Sequence, residues 1–357
     1  MGFDVRVVHS VTEIGQALWD RMAGSRPFAS YRWYRFGETA LADNLPLYVV
    51  LLREGEPRAC GTFWLRRNEP LPIPPGLVRK GVGALLRRWP LLICQAPLVD
   101  ASGLMLPDDG QRDEAVKTIA RVAREQARSL GASFVACIYL GPGEAHLVGW
   151  PPPFGPVELP EPGTCLSISW PDFESYLAHL SRSTRKDYRR HCNRADDLGV
   201  AVEALPEVTE PDRALALVRN VEERHGTMAD PWVPAALANA AMVDATWLAA
   251  RIDGRLVACG LLLRDGDYGV LKFLGLDYDV RYAYFRLVYA ALQAAIEGGC
   301  RALVGGAGAY EMKRRLGFEP VDTNYAVFAG RGPFLGGLGG WLARSEEQKV
   351  RDPFDGG

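Results

Sequence analysis

The stretch "SRSTRKDYRRHCNRADDLGV" holds Arg182, Arg185, Lys186, Arg189, Arg190 and Arg194 within about four helical turns. The apolar positions Phe173, Tyr176, Leu177 and Leu180 just before it set a helical stripe. Arg185 and Arg189 then fall four apart on one face, with Lys186 and Arg190 as a second such pair. Two guanidinium forks on one face suit a phosphate or a carboxylate, because each presents a planar set of donors. The same spacing also describes a solvated helix face balanced by Asp187, Asp196 and Asp197.

A second stretch, "RALVGGAGAYEMKRRLGFEPV" (301–321), places Gly305, Gly306 and Gly308 ahead of Lys313. A phosphate-binding P-loop needs Gly-Lys-Ser/Thr, but Lys313 lies between Met312 and Arg314. A dinucleotide fingerprint needs a third glycine where this chain has Glu311. What remains is a strand end that turns sharply, then a short helix carrying Tyr310, Lys313 and Arg314 and ending at Gly317-Phe318. In "LVRNVEERHGTMADPWVP", His225 near a helix end reads as a base or as a structural histidine. Trp232, between Pro231 and Pro234, reads as a loop residue packed over a substrate cleft. With Asp277, these two complete the substrate-binding candidates.

The elements that must position these residues occur twice. "LPLYVVLLREGEPRACGTFWLRR" (45–67) is two β-rich runs around Glu54-Gly55, and "ATWLAARIDGRLVACGLLL" (245–263) repeats it around Asp253-Gly254. Ala59-Cys60-Gly61 and Ala258-Cys259-Gly260 occupy matching places. A helix with Ala115, Ile119, Val122 and Ala123 at helical spacing follows the first hairpin, then a buried strand from Phe134 to Leu140. After the second come a helix with Leu287, Val288, Ala291, Leu292 and Ala295, and a strand over 301–304. The pattern predicts two copies of one mixed α/β unit.

The expected division is a first lobe over 1–150 with a Pro-rich covering insertion at about 68–98, a linker or crossing segment at 151–170, a second lobe over 171–330, and a Gly-rich and polar tail at 331–357. Within the insertion, Arg79, Lys80, Arg87 and Arg88 beside Leu85, Leu86 and Leu91 also form the pattern of a short basic amphipathic segment at a membrane.

A net charge of −2 gives no bulk electrostatic drive toward nucleic acid, so DNA is not an expected partner and any anion site must be local. Seven scattered cysteines, without a C-x-x-C pair, read as reduced core residues, and no metal is expected. The N-terminus lacks a signal-peptide apolar run, and no stretch reaches the ~18 apolar residues of a membrane span. A cytoplasmic protein is the expectation.

The order of hairpin, helix, "EGGCRALVGGAG" strand and "AYEMKRRLGFEPV" resembles the GNAT acyltransferase fold, in the tandem form of the FemAB-like and CelD-like N-acyltransferases. The resemblance covers about 173–327. It rests on the basic helix opening the second lobe and on Tyr310, Lys313 and Gly317-Phe318, which match a Y-x-x-K…G-F segment. It implies an α/β (α+β) fold of two tandem GNAT-like lobes, each a mixed sheet flanked by helices, and transfer of an acyl group to an amine. By that resemblance Lys313 is the cationic group at the acyl carbon or a donor phosphate. Tyr310 or Tyr284 protonates the leaving group, and no residue stands out as the base. Standard GNAT proteins hold coenzyme A on a [Q/R]-x-x-G-x-[G/A] loop. Here Arg281 keeps the first position, but Tyr284 and Arg286 replace the glycines. The implied donor is acyl-CoA as co-substrate, with Arg281, Arg286, Arg185 and Arg189 as cofactor-binding candidates. Aminoacyl-tRNA, used by peptidoglycan members of the FemAB branch, is the alternative donor, and the acceptor is a small-molecule or peptide amine. A catalytically silent module binding a peptide or cell-wall precursor is the rival of another class.

Overall fold

The computed structural model describes residues 2–67, 88–159 and 161–330. Its strands, in chain order, are β1 (Asp4–Val8), β2 (Leu45–Arg53), β3 (Glu56–Arg66), β4 (Leu91–Cys94), β5 (Leu104–Met105), β6 (Phe134–Leu140), β7 (Gly155–Glu158), β8 (Gly163–Ser167), β9 (Ala201–Leu205), β10 (Asp244–Ile252), β11 (Arg255–Asp265), β12 (Tyr268–Leu276), β13 (Ala302–Val304), β14 (Glu319–Val321) and β15 (Tyr325–Gly330). They form two sheets in two compact units.

The first sheet runs β1-β2-β3-β4-β6-β15-β7, with β5 paired to β3 off that path. The second runs β9-β10-β11-β12-β13-β8-β14. Position by position the two orders correspond, and in each the fourth and fifth strands are parallel: β4 with β6, and β12 with β13. The internal echo is therefore a repeat of architecture. Glu54 and Gly55 take φ 54° and 81°, and Asp253 and Gly254 take φ 50° and 78°. Positive φ at both central residues is the hairpin turn that matches strand twist. Cys60 pairs with Val50 and Cys259 with Ala249, and each hairpin has a register shift just before its turn.

Helix Arg112–Ser129 buries Ala115, Ile119, Val122 and Ala123 in the first unit, as the spacing predicts. Helix Ala283–Glu297 buries Leu287, Val288, Ala291, Leu292 and Ala295 in the second. Each side chain lies on one face of its helix because apolar residues recur near the 3.6-residue period.

Three expected boundaries differ. Leu91–Cys94, expected in the covering insertion, is the internal strand β4, a short apolar run suited to burial on both faces. The linker at 151–170 contributes β7 to the first sheet and β8 to the second. Pro156 is tolerated in β7 because that strand lies at a sheet edge. Finally, 325–330, expected in the second lobe, is β15, which pairs with β6 and β7 in the first sheet. The chain thus passes from first sheet to second between β7 and β8, and back between β14 and β15.

Residues 68–87 and the 331–357 tail lie outside the described residues, and with them Arg79, Lys80, Leu85, Leu86 and Arg87. No helix among the described residues is long and apolar enough to cross a membrane. None of their His, Cys, Asp and Glu side chains form a group of three able to hold a metal ion. All seven cysteines are free thiols, six of them buried.

Candidate active site

The second sheet opens where its parallel pair ends. β12 pairs with β13 only through Tyr268, Gly269 and Val270 against Ala302, Leu303 and Val304. β12 then continues to Leu276 with β11 alone as its strand partner among the described residues, so its other edge lies open to no strand. Within this segment the β11–β12 register shifts between Cys259 and Leu261, and Phe273 takes φ 55°. An extra residue of this kind bends a strand and re-aims its side chains.

Two segments flank that edge. One is the loop 277–282 leading into helix Ala283–Glu297. Asp277 anchors it by accepting from Arg213 at 3.3 Å and Arg255 at 2.5 Å, while Asn220 Nδ2 donates to the Leu276 carbonyl at 3.1 Å. The helix starts on Tyr282, at φ 68°, with no side chain capping it. The N–H groups of its first turn have no intrahelical acceptor and present a partial positive charge.

The other flank is the turn after β13. Gly305 donates its N–H to the Thr164 carbonyl at 2.8 Å. A Cβ there would lie 2.6 Å from Thr164 Oγ1 and 3.0 Å from Phe318, so only glycine fits without displacement. Gly306 at φ 60° turns the chain into helix Tyr310–Arg315. Lys313 reaches back from that helix: its ammonium donates to the carbonyls of Gly305, Gly306 and Ala307 at 2.5, 3.0 and 3.2 Å. An ammonium has three donors, and three carbonyls meet them here. Lys313 is therefore held by its own backbone, where the resemblance implied a cation at the acyl carbon or at a donor phosphate.

The other expected residues separate into those near the opening and those held elsewhere. Tyr284 lies in the first helical turn after the 277–282 loop, and burial, with a smaller contribution from Tyr278, pushes its phenol pKa up. Tyr310 is half-buried at the first residue of its helix, and Arg281 is exposed beside Tyr282. Arg286 turns away, donating to Cys192 Sγ at 3.4 Å and pairing with Asp196 at 3.6 Å. Arg185 donates to the carbonyls of Ala178 and Leu180, closing the end of helix Phe173–His179. Arg189 is exposed and, with Arg185 and Tyr188, lines a groove of about 520 Å³ between helices Phe173–His179 and Arg182–Asp197. His225 is an exposed helix C-cap, Trp232 is the N-cap of helix Val233–Ala238, and Asp277 is the ion-pair anchor already described. Sequence reasoning missed Thr164 and Asn220. Their contacts join residues 142 and 56 positions apart, and no local pattern marks them.

The first unit closes the corresponding place. β4 pairs with β6 over four residues, and the chain after Cys94 folds back on itself. Ala96 N–H donates to the Ala101 carbonyl and Thr62 N–H to the Gly103 carbonyl, both at 2.9 Å. Gln95, Ala96, Leu98, Val99, Leu104, Met105 and Leu106 are all buried. After β6, Glu144 accepts from the Gly141 N–H.

Residues 182–314 match the family model described as an acetyltransferase (GNAT) domain. Among solved structures, FemX is similar at a TM-score of 0.60 and 11% identity, over 90% of this chain and 96% of that one. A tandem GNAT protein from the clavulanic acid biosynthesis pathway is similar at 0.53 and 15%, over 92% and 99%. The C-terminal domain of a putative lysylphosphatidylglycerol synthetase from Agrobacterium fabrum is similar at 0.51 and 13%, over 95% and 96%. No protein of curated description matches the sequence. Residues 182–314 thus match a GNAT domain, and the fold along both units is the one shared with FemX and the tandem GNAT protein.

Proposed function

We propose that the second unit is the catalytic one and transfers an acyl group from a thioester to an amine. The observation that carries this reading is the bare edge of β12 between the uncapped helix start at Tyr282 and the 305–309 turn. The extended, amide-bearing arm that carries the thioester in acyl-CoA can add to such an edge through hydrogen bonds to the main chain. The first-turn N–H groups and exposed Arg281 suit the phosphates of acyl-CoA. The amine attacks the acyl carbon, and the C–S bond breaks as the tetrahedral species collapses. Holding both reactants beside one strand edge supplies much of the acceleration. Tyr284, kept protonated by its raised pKa, is suited to hand a proton to the departing thiolate. Such chemistry places the protein in the cytoplasm, where acyl-CoA is available.

A second reading, with aminoacyl-tRNA as donor, is favoured by Tyr284 and Arg286 standing where a coenzyme A loop carries glycines. It also draws on the exposed Arg189 face. Acetyl-CoA, a long-chain acyl-CoA and aminoacyl-tRNA separate the readings in a thermal-shift assay followed by an assay of transfer to an amine. A productive donor at a hundred times its Kd adds about 2.7 kcal/mol of stability. Stabilisation by tRNA alone selects the second reading. Binding without transfer leaves the silent peptide-binding module, and no shift from any donor removes the transferase reading.

A further inference from the structure

The Lys313 ammonium gathers three successive carbonyls, and this fixes where the N–H groups of the same peptides point. Among the described residues the only cis peptide bond precedes Pro153, so the 305–308 peptides are trans. In a trans peptide the carbonyl and the next residue's N–H face opposite ways. The N–H groups of Gly306, Ala307 and Gly308 therefore turn away from Lys313, and none has an acceptor among the described residues.

One of these directions is defined further. The Gly306 carbonyl also accepts from Thr164 Oγ1 at 2.8 Å. Thr164 belongs to β8, which flanks β13 on the side opposite β12. With its carbonyl drawn toward β8, the 306–307 peptide turns the Ala307 N–H away from β8, and β12 lies on the other side of β13.

We infer that Lys313 and Thr164 are positioning residues that hold the Ala307 N–H as a donor to the oxygen of the reacting acyl group; this rests on the acyl-transfer reading above. As the amine nitrogen bonds to the acyl carbon, the carbonyl π pair moves onto oxygen, and the Ala307 N–H stabilises that charge. Collapse returns the pair to the C–O bond and expels the thiolate, which Tyr284 protonates, while the proton lost by the amine nitrogen passes to solvent. Lys313 touches no substrate in this scheme. Its charge lies behind the turn, and its effect passes through the peptide it orients. A preorganised donor of this kind is effective because it needs no reorientation during the reaction.

The first test needs no activity. In ligand-free protein carrying 15N-alanine, Lys313→Met and, separately, the near-isosteric Thr164→Val should each displace the Ala307 amide resonance while melting remains cooperative. An unmoved resonance overturns the positioning role whether or not the protein is a transferase. The second test compares turnover with wild type, whose own transfer activity tests the parent reading separately. Replacing Ala307 by lactic acid, which exchanges only its N–H for an ester oxygen, should lower kcat about 10²–10³-fold with donor KM unchanged. Lys313→Met should lower kcat in the same sense and leave the shape of the pH profile intact. Loss of a pH limb in Lys313→Met, a rise in donor KM alone, or an undiminished kcat in the ester protein overturns the inference.

Discussion

The two units build the same strand order and treat the end of its parallel pair in opposite ways. In the first, the chain after β4 folds back, and residues from Gln95 to Leu106 fill the place with buried side chains. Trp33 and Trp64 add indole N–H bonds to the Pro97 and Gln95 carbonyls, at 2.9 and 3.2 Å. In the second, β12 runs six residues past its last pairing with β13 and keeps an open edge. The short helices after the parallel strands differ in the same sense. Glu144, in the helix after β6, accepts from a backbone N–H, whereas Lys313, in the helix after β13, donates to backbone carbonyls. One architecture thus covers its strand ends with a core in one copy and leaves an edge without a strand partner in the other. The family match over 182–314 falls on the open copy.

This contrast can be broken most severely at the exchanged strands. Ending the chain after Val321 removes β15 from between β6 and β7. It should abolish the first unit's cooperative unfolding transition in calorimetry while the second sheet, complete within 163–321, keeps its own. Retention of both transitions would mean that β15 is dispensable and that the exchange organises nothing. A smaller effect is expected from Gly305→Ala, which forces a Cβ to within 2.6 Å of Thr164 Oγ1. Overpacking at such a site costs about 1–3 kcal/mol, read as a lower midpoint for the second unit in chemical denaturation. An unchanged midpoint would show that the turn relaxes and that its tightness is incidental.

The smallest expected effect concerns the closed copy. Burial raises the Glu144 pKa, opposed by the Gly141 N–H, by Arg112 and Arg26, and by Ser102. A folded-state pKa above the unfolded value means that the group's stabilisation is full below the ordinary value of 4.5 and is lost as pH rises through the folded value. The melting temperature of wild type minus that of Glu144→Gln should therefore fall between acid and neutral pH. A difference that grows with pH would mean that Arg112 and Arg26 outweigh burial, making the closed end an ionic site.

Much of the fold was legible in the chain itself. The paired hairpins follow from Glu54-Gly55 and Asp253-Gly254, because φ > 0 at two successive residues is a local demand. The buried helix faces follow from Ala115 to Ala123 and from Leu287 to Ala295, because a helix repeats its apolar face every three or four residues. The glycines at 305, 306 and 308 lack the partners that a P-loop or a dinucleotide fingerprint requires. Less of the site was legible. Tyr284 was singled out by resemblance and lies by the opening, while Arg185 and Arg286 were chosen as anion ligands and are held by groups of their own unit.

What the sequence determined alone is what depends on neighbours within a few residues: turns, helix faces, the repeat, and a second half that resembles a GNAT domain. Only the tertiary structure decided which sheet each short strand joins. Strands of four to six residues such as β7, β8 and β15 look alike locally, and their pairing energy comes from partners up to 196 positions away, as Gly330 opposite Phe134. The same holds for Lys313. Its spacing reads as a surface lysine and the resemblance as a catalytic cation, but the structure places the carbonyls of Gly305, Gly306 and Ala307 around it.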